Sequence, residues 1–164
     1  MSIIESFIVG SASTIAGGIV LAVFFFWVRE KCFGIADVTG KWHFDMITEK
    51  TAYNPYKNMT LRYVGVVWRE GNYLYGSVEK VYEKSSSGER EYVGGNRSRG
   101  KLTGAYEKNY FSKDRVHIHI SEQGTGREST NYFTLTVNKK QLDGNFCSFV
   151  ADQEGASNWQ REPF

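Results

Sequence analysis

Hydrophobic and polar positions divide this chain into two materials. Residues 7–28, FIVGSASTIAGGIVLAVFFFWV, form one apolar run of 22 residues without charge or proline. Beyond residue 35, short segments alternate apolar and polar positions between Gly, Asn, Asp and Ser clusters. The first pattern predicts a helix. At ~1.5 Å per residue it matches the ~30 Å hydrocarbon core of a bilayer. Every face is apolar, which favours a membrane span over a core helix. The run is long, lacks a basic N-terminal flank and ends in bulky FFFWVREK, which argues against a cleaved signal. The predicted domains are an anchor at 1–31, with its span at about 7–28, and a second domain at 35–164.

The second pattern predicts strands. KWHFDMITEK, MTLRYVGVVWRE, YLYGSVEKVYEK, RSRGKLTGAYEK, RVHIHISE, ESTNYFTLTV, QLDGNFCSFVAD and NWQRE are short and rich in Tyr, Val, Ile, Phe and Thr. Hairpin turns are expected at Glu70-Gly71-Asn72, Ser85–Gly88, Lys113-Asp114, Gly124-Thr125-Gly126 and Asn138-Lys139-Lys140. LYGSV (74–78), LTGAY (102–106) and LDGNF (142–146) share a Leu-x-Gly-x pattern, so Leu, Gly and the last residue fall on one face. Glycine within a strand marks a bend or a close backbone approach, as a small coiled barrel requires. The expected fold is all-β: a small eight-stranded up-and-down antiparallel barrel preceded by one N-terminal transmembrane α-helix. On the second strand, analogy with the repeats points the Tyr63/Gly65/Arg69 face inward, against the Arg62/Trp68 face.

Charge adds orientation. Arg29 and Lys31 follow the span and only Glu5 precedes it, so the positive-inside rule puts the C-terminal side in the cytoplasm. Trp27 stands where an interfacial aromatic belongs. Cys32 and Cys147 would then be thiols, and the sequons at Asn58 and Asn96 unused. Within the helix, Gly10, Thr14, Gly18 and Ala22 fall four apart in a small-residue stripe that favours self-association in lipid. Net charge is +2. Residues 35–164 carry 18 Lys/Arg against 16 Asp/Glu, once Arg29, Lys31, Glu5 and Glu30 are set aside. That balance argues against duplex nucleic acid as a partner.

Chemistry-bearing motifs are sparse. His117 and His119 share a strand face, but no third metal ligand lies at a useful spacing, and no metal or cofactor is expected. There is no P-loop, GxGxxG or nucleophile elbow. The chain is therefore not expected to be an enzyme. GGNRSRGK, with Arg97, Arg99 and Lys101, has three readings. It could line a barrel mouth and meet phosphates, form a solvated edge, or touch lipid headgroups.

Gly40-Lys41-Trp42, the Leu-x-Gly-x repeats and Arg161 resemble the calycin barrels, both lipocalin- and avidin-like. There a Gly-x-Trp tryptophan closes one barrel end and a late arginine stacks on it. The resemblance implies that role for Trp42 and Arg161, and cation–π packing supplies the physical reason. The whole layout, a membrane segment followed by a minimal barrel, resembles the membrane-anchored β-barrel effectors of bacterial cyclic-oligonucleotide anti-phage defence. Many members of that group have two spans where this chain has one. The resemblance implies an inner-membrane, single-pass protein with the N-terminus outside and the barrel in the cytoplasm. It also implies a cyclic di- or oligonucleotide ligand made by a partner nucleotide cyclase or polymerase, and a homo-oligomer formed through the helix that disrupts the bilayer. An anionic ligand needs cations, stacking rings, amides and hydroxyls. Candidates are Tyr63, Arg69, Lys80, Tyr82, Arg97, Arg99, Tyr106, Asn131 and Ser148. The alternative is a tethered calycin-like module for a small molecule or lipid, without killing activity.

Overall fold

The structure is a computed structural model that describes residues 3–32, 34–123 and 128–164. Within the helix it describes the side chains of residue 4 and of residues 7–28. The turn expected at Gly124-Thr125-Gly126 and the side chains of Glu5, Arg29, Lys31 and Cys32 lie outside the described residues. The chain forms two compact units that divide between Ile35 and Ala36.

The first unit is α1 (Ile3–Cys32). Its segment Phe7–Val28 is long and apolar enough to cross a membrane, with none of it buried inside the fold. The Thr14 hydroxyl donates to the Gly10 carbonyl at 2.9 Å, so this polar side chain is satisfied within its own helix. Nothing lies near the missing Cβ positions of Gly10, Gly17 and Gly18.

The second unit is an antiparallel barrel. Its strands are β1 (Gly40–Lys50), β2 (Thr60–Glu70), β3 (Tyr73–Ser85), β4 (Gly88–Glu91), β5 (Arg99–Glu107), β6 (Arg115–Gln123), β7 (Glu128–Val137), β8 (Gln141–Ser148) and β9 (Gln153–Gln160). Each barrel strand pairs with its neighbour in sequence, and β1 pairs with both β2 and β9. Pairing of β2 with β3 closes the eight-stranded ring, which leaves no open sheet edge along the wall. β4 is the addition to the expected set: SSSGERE forms a small hairpin on the far part of β3 instead of a bare turn. β9 begins at Gln153, upstream of the NWQRE segment.

Period-two alternation places the apolar set inside. Trp42, Phe44 and Met46 of β1, Tyr63 and Val67 of β2, and Val116, Ile118 and Ile120 of β6 are all buried. Val66 and Trp68, one step out of phase, are exposed on the outer wall, so the Gly65 face is the inner one. The three Leu-x-Gly-x segments also face inward, with Leu74, Leu102 and Leu142 nearly inaccessible. Their glycines sit where the neighbouring strand comes closest. A Cβ on Gly104 would lie 2.4 Å from the His117 carbonyl oxygen, and one on Gly144 only 2.1 Å from that of Thr134.

Aromatic rings fill the middle of the barrel. Phe44 lies flat between two rings, with centroids 3.9 Å from Trp159 and 5.1 Å from Tyr63. Phe133 meets Phe44 and Trp159 edge-on at 6.1 and 5.7 Å. Both arrangements suit the ring quadrupole. The end where β1 begins is capped by Trp42, whose indole N–H donates to Val38 O at 2.8 Å. The Arg161 guanidinium lies over that ring at 3.8 Å and donates to the Asp37 and Lys41 carbonyls.

Gly144→Ala forces a methyl into the β7 backbone. We expect an equilibrium denaturation loss of about 1–3 kcal/mol, the range for overpacking. Gly95→Ala, where a Cβ meets nothing within 4 Å, should stay within about 0.5 kcal/mol of the parent.

Candidate functional site

The up-and-down course gives the barrel two distinct ends. The near end, where β1 starts, collects the β2–β3, β5–β6 and β7–β8 connections and the C-terminus. The far end collects the β1–β2 loop, the β3–β4 hairpin and the β8–β9 turn. The aromatic plug separates them.

At the far end the inward alternation switches from apolar to polar. On β6 the series Val116, Ile118, Ile120 continues to Glu122, which is buried. On β7 and β8 the next inward residues are Asn131 and Ser148, and on β9 the strand opens with Gln153, all buried. These groups line a cavity of about 170 Å³ together with Tyr63, Lys80, Glu83 and the apolar Met46, Met59 and Leu61.

Its electrostatics centre on Glu122. The Tyr63 hydroxyl donates to Glu122 Oε2 at 2.9 Å, and Lys80 Nζ lies 3.7 Å from Oε1. Lys80 also donates to Glu83 Oε2 at 3.3 Å, an oxygen that accepts from the Tyr92 hydroxyl at 3.0 Å. The Tyr92 ring lies under the Lys80 ammonium. Burial, then the adjacent carboxylate, pushes the Tyr63 hydroxyl well above its ordinary range, so it stays a donor. Burial would depress Lys80, but Glu122 and Glu83 outweigh it and raise its pKa, so the ammonium stays charged. Two carboxylates face one ammonium. Gln153 accepts from the Thr48 hydroxyl at 3.0 Å and donates to Val150 O at 2.8 Å, which braces the β9 wall against the β8–β9 turn.

A β-bulge builds this arrangement. Tyr63 pairs with Lys80, but Arg62 pairs with Tyr82, so β3 carries one extra residue here. The shift sends Tyr82 outward and turns Glu83 into the cavity. Tyr82, a candidate binding residue expected on the inner face by alternation with Lys80, is therefore corrected to the outer wall. It shares the outer wall with Arg62, whose guanidinium lies 5.0 Å from the Tyr82 ring and 4.8 Å from that of Phe164.

The remaining expected binding residues divide. Tyr63, Lys80, Asn131 and Ser148 meet at the far-end cavity. Arg69 and Tyr106 lie at the near end, across the plug. Arg97 and Arg99 are not at a mouth: both bind Glu79 at 3.2 Å on the outer wall, a residue that alternates outward from Val78 and Lys80. Glu122, Glu83 and Gln153 escaped the sequence reading. The alternation of VHIHISE was the signal for Glu122, since an inward Val116 makes residue 122 inward too.

At the near end the Tyr106 hydroxyl donates to Asp114 Oδ2 at 2.5 Å and accepts from the Ala36 amide at 3.2 Å. Lys108 Nζ and the Asn109 amide also donate to that carboxylate, each at 2.9 Å. Burial, and then the bond to Asp114, push Tyr106 up to about 12. Burial acts to raise Asp114, but the donations from Tyr106, Lys108 and Asn109 win and lower it. Arg69 Nη1 is buried here without a hydrogen-bond partner.

On the outer wall His117 spends both ring nitrogens, on Glu107 at 2.7 Å and Tyr132 at 2.9 Å. A hollow of about 450 Å³ lies outside over Tyr132, Asn145 and Cys147. The ion pair at its rim, Lys50–Glu154, is largely exposed, so solvent screens it and the hollow is the weaker site. Comparison of the chain with protein-family models, curated proteins and solved structures finds no match.

Tyr106→Phe should lower stability by about 1.5–3 kcal/mol near neutral pH, the range for bonds to a charged group. The loss should shrink at both pH extremes. Asp114 has a lowered folded pKa, so its contribution is present above about pH 4 and fades as pH falls through that folded value. Tyr106 has a raised one, so its contribution fades as pH rises from about 10 to about 12. Urea unfolding of parent and variant across pH checks both limbs.

Proposed function

We propose that this chain is a membrane-anchored, non-catalytic receptor whose barrel takes part of a cyclic nucleotide signal at its far end. The observation that carries the reading is the far-end cavity: buried amides, a hydroxyl, a tyrosine and the Glu122 carboxylate converge with the partly buried Lys80 and Glu83 on one small space beside an apolar floor. Convergent donors and acceptors of that kind read the hydrogen-bonding edge of a nucleobase. The volume, about 170 Å³, is below the ~300–1,000 Å³ of a whole-ligand pocket, so a single base enters and the rest of the ring stays outside. The carboxylates of Glu122 and Glu83 repel phosphate, which keeps the phosphates at the rim. The architecture supports the class resembled above: an antiviral effector of the bacterial inner membrane, with its barrel in the cytoplasm and its ligand supplied by a partner cyclase. In this reading the helices associate along the Gly10/Thr14/Gly18/Ala22 stripe to disrupt the bilayer. Ligand acts as a switch because it binds the two assembly states unequally.

The ratio of two carboxylates to one ammonium favours a second reading, a tethered module for a small cationic ligand. The aromatic plug weighs against a lipid ligand, because four buried rings fill the middle of the barrel.

The full chain in nanodiscs should gain thermal stability with one member of a panel of cyclic di- and oligonucleotides. At a hundredfold excess over Kd the gain is about 2.7 kcal/mol. Asn131→Ala should abolish that gain and leave the unliganded transition little changed. A shift with spermidine and none with any nucleotide would establish the second reading instead. Where the ligand acts as an activator, bacteria expressing the chain with that nucleotide should lose membrane potential, and Gly18→Ile should restore it.

A further inference from the structure

The near end of the barrel carries a feature that the proposed receptor does not use. The β5–β6 connection, KNYFSKD (108–114), displays Tyr110 half exposed and Phe111 entirely exposed at its tip. This loop is held. Asp114 accepts from the Lys108 ammonium and the Asn109 amide, and its carbonyl accepts from the Val137 amide at 2.8 Å. The braced loop therefore presents the Phe111 ring to solvent, with Tyr110 partly exposed beside it.

Lysines stand on this connection and on the β7–β8 turn. Lys113 reaches the neighbouring β7–β8 turn and donates to Asn138 Oδ1 at 2.8 Å, and that turn continues as Lys139-Lys140, both exposed. Among the described residues none of these three lysines makes an ion pair. The acid of the loop, Asp114, is already occupied by Lys108 and Tyr106. An exposed Tyr-Phe tip ringed by lysines matches the bilayer interface, where aromatic rings sit at headgroup depth and ammoniums meet lipid phosphates. GGNRSRGK lacks this complementarity, since Arg97 and Arg99 are committed to Glu79.

We infer that the near end of the barrel docks on the anionic headgroup surface of the bilayer through the Tyr110-Phe111 tip and Lys113, Lys139 and Lys140. The inference rests on reading α1 as a membrane anchor. Chain length supports it: residues 29–39 join the apolar span to β1, and at most ~3.6 Å each they hold this end within ~40 Å of the span. Docking turns the far-end cavity away from the lipid, where a soluble ligand has access. The tether makes the contact intramolecular, so a weak patch suffices.

The test uses the full chain with Cys32→Ser and Cys147→Ser and a nitroxide on Ser112→Cys, beside the aromatic tip. A second sample carries the nitroxide on Phe149→Cys at the far end. Each is reconstituted into vesicles of phosphatidylcholine alone or of phosphatidylcholine with phosphatidylglycerol. Electron paramagnetic resonance then compares collisions with oxygen and with a water-soluble nickel chelate. We expect residue 112 to be shielded from nickel in the anionic vesicles, and residue 149 to stay open in both. The combined Lys113→Glu, Lys139→Glu and Lys140→Glu changes, all on exposed side chains, should return residue 112 to water. Each lysine is expected to contribute about fivefold to the docking equilibrium. Residue 112 open to nickel in both vesicle types, in protein that resists carbonate extraction, overturns the docking and leaves the anchor intact. Protein released by carbonate overturns the anchor reading as well. Shielding that rises with the protein-to-lipid ratio assigns the face to a second copy of the chain and also overturns the proposal.

Discussion

The flat packing of Phe44 between Trp159 and Tyr63, with Phe133 edge-on, governs what this barrel is able to do. Four large rings from β1, β2, β7 and β9 meet and fill the middle of the barrel. Their burial takes four large rings out of water and ties strands that are distant in sequence into one ring. It also divides the interior: the filled middle separates two ends, and the ends differ in kind.

The far end is a small polar cavity stabilised by its own charges. Glu122 is buried, but it receives the Tyr63 hydroxyl and faces the Lys80 ammonium, so the carboxylate keeps partners within the fold. A buried carboxylate with only one such partner would be far more costly. That constraint links the plug to the cavity, since Tyr63 is the outermost ring of the stack and the first donor of the site. Substitutions there act on core packing and on the hydrogen bonding of the cavity together. The near end is organised around Asp114, which gathers the Tyr106 hydroxyl, Lys108 and the Asn109 amide and thereby braces the aromatic loop beside it. One end thus carries a polar cavity and the other a braced loop with exposed aromatic rings.

Much of the fold was legible in the residues. Alternation in segments such as VHIHISE and LTGAY was sufficient to name the strands and their inward faces, because a closed barrel buries one side of every strand. The Leu-x-Gly-x repeats marked close strand approaches for the same reason. The pairing of Trp42 with Arg161 was visible as a Gly-x-Trp at the first strand and a late arginine. The site was only partly legible. Tyr63, Lys80, Asn131 and Ser148 were reachable by alternation, and Glu122 obeys the same rule four positions beyond the inward Ile118. Tyr82 was misplaced because one extra residue in β3 reverses every later side chain.

The amino-acid pattern by itself determined an apolar span, an all-β domain and the inner face of most strands, since each follows from a period of local hydrophobicity. Only the tertiary structure decided which inward residues share an end, because that depends on strand direction and stagger around the ring. It also decided that Arg97 and Arg99 are spent on Glu79 rather than open to a ligand, because ion pairing depends on cross-strand register. The interior is closed for a similar reason: whether inward rings interlock or leave a channel is a matter of their mutual angles, and those exist only once the barrel has closed.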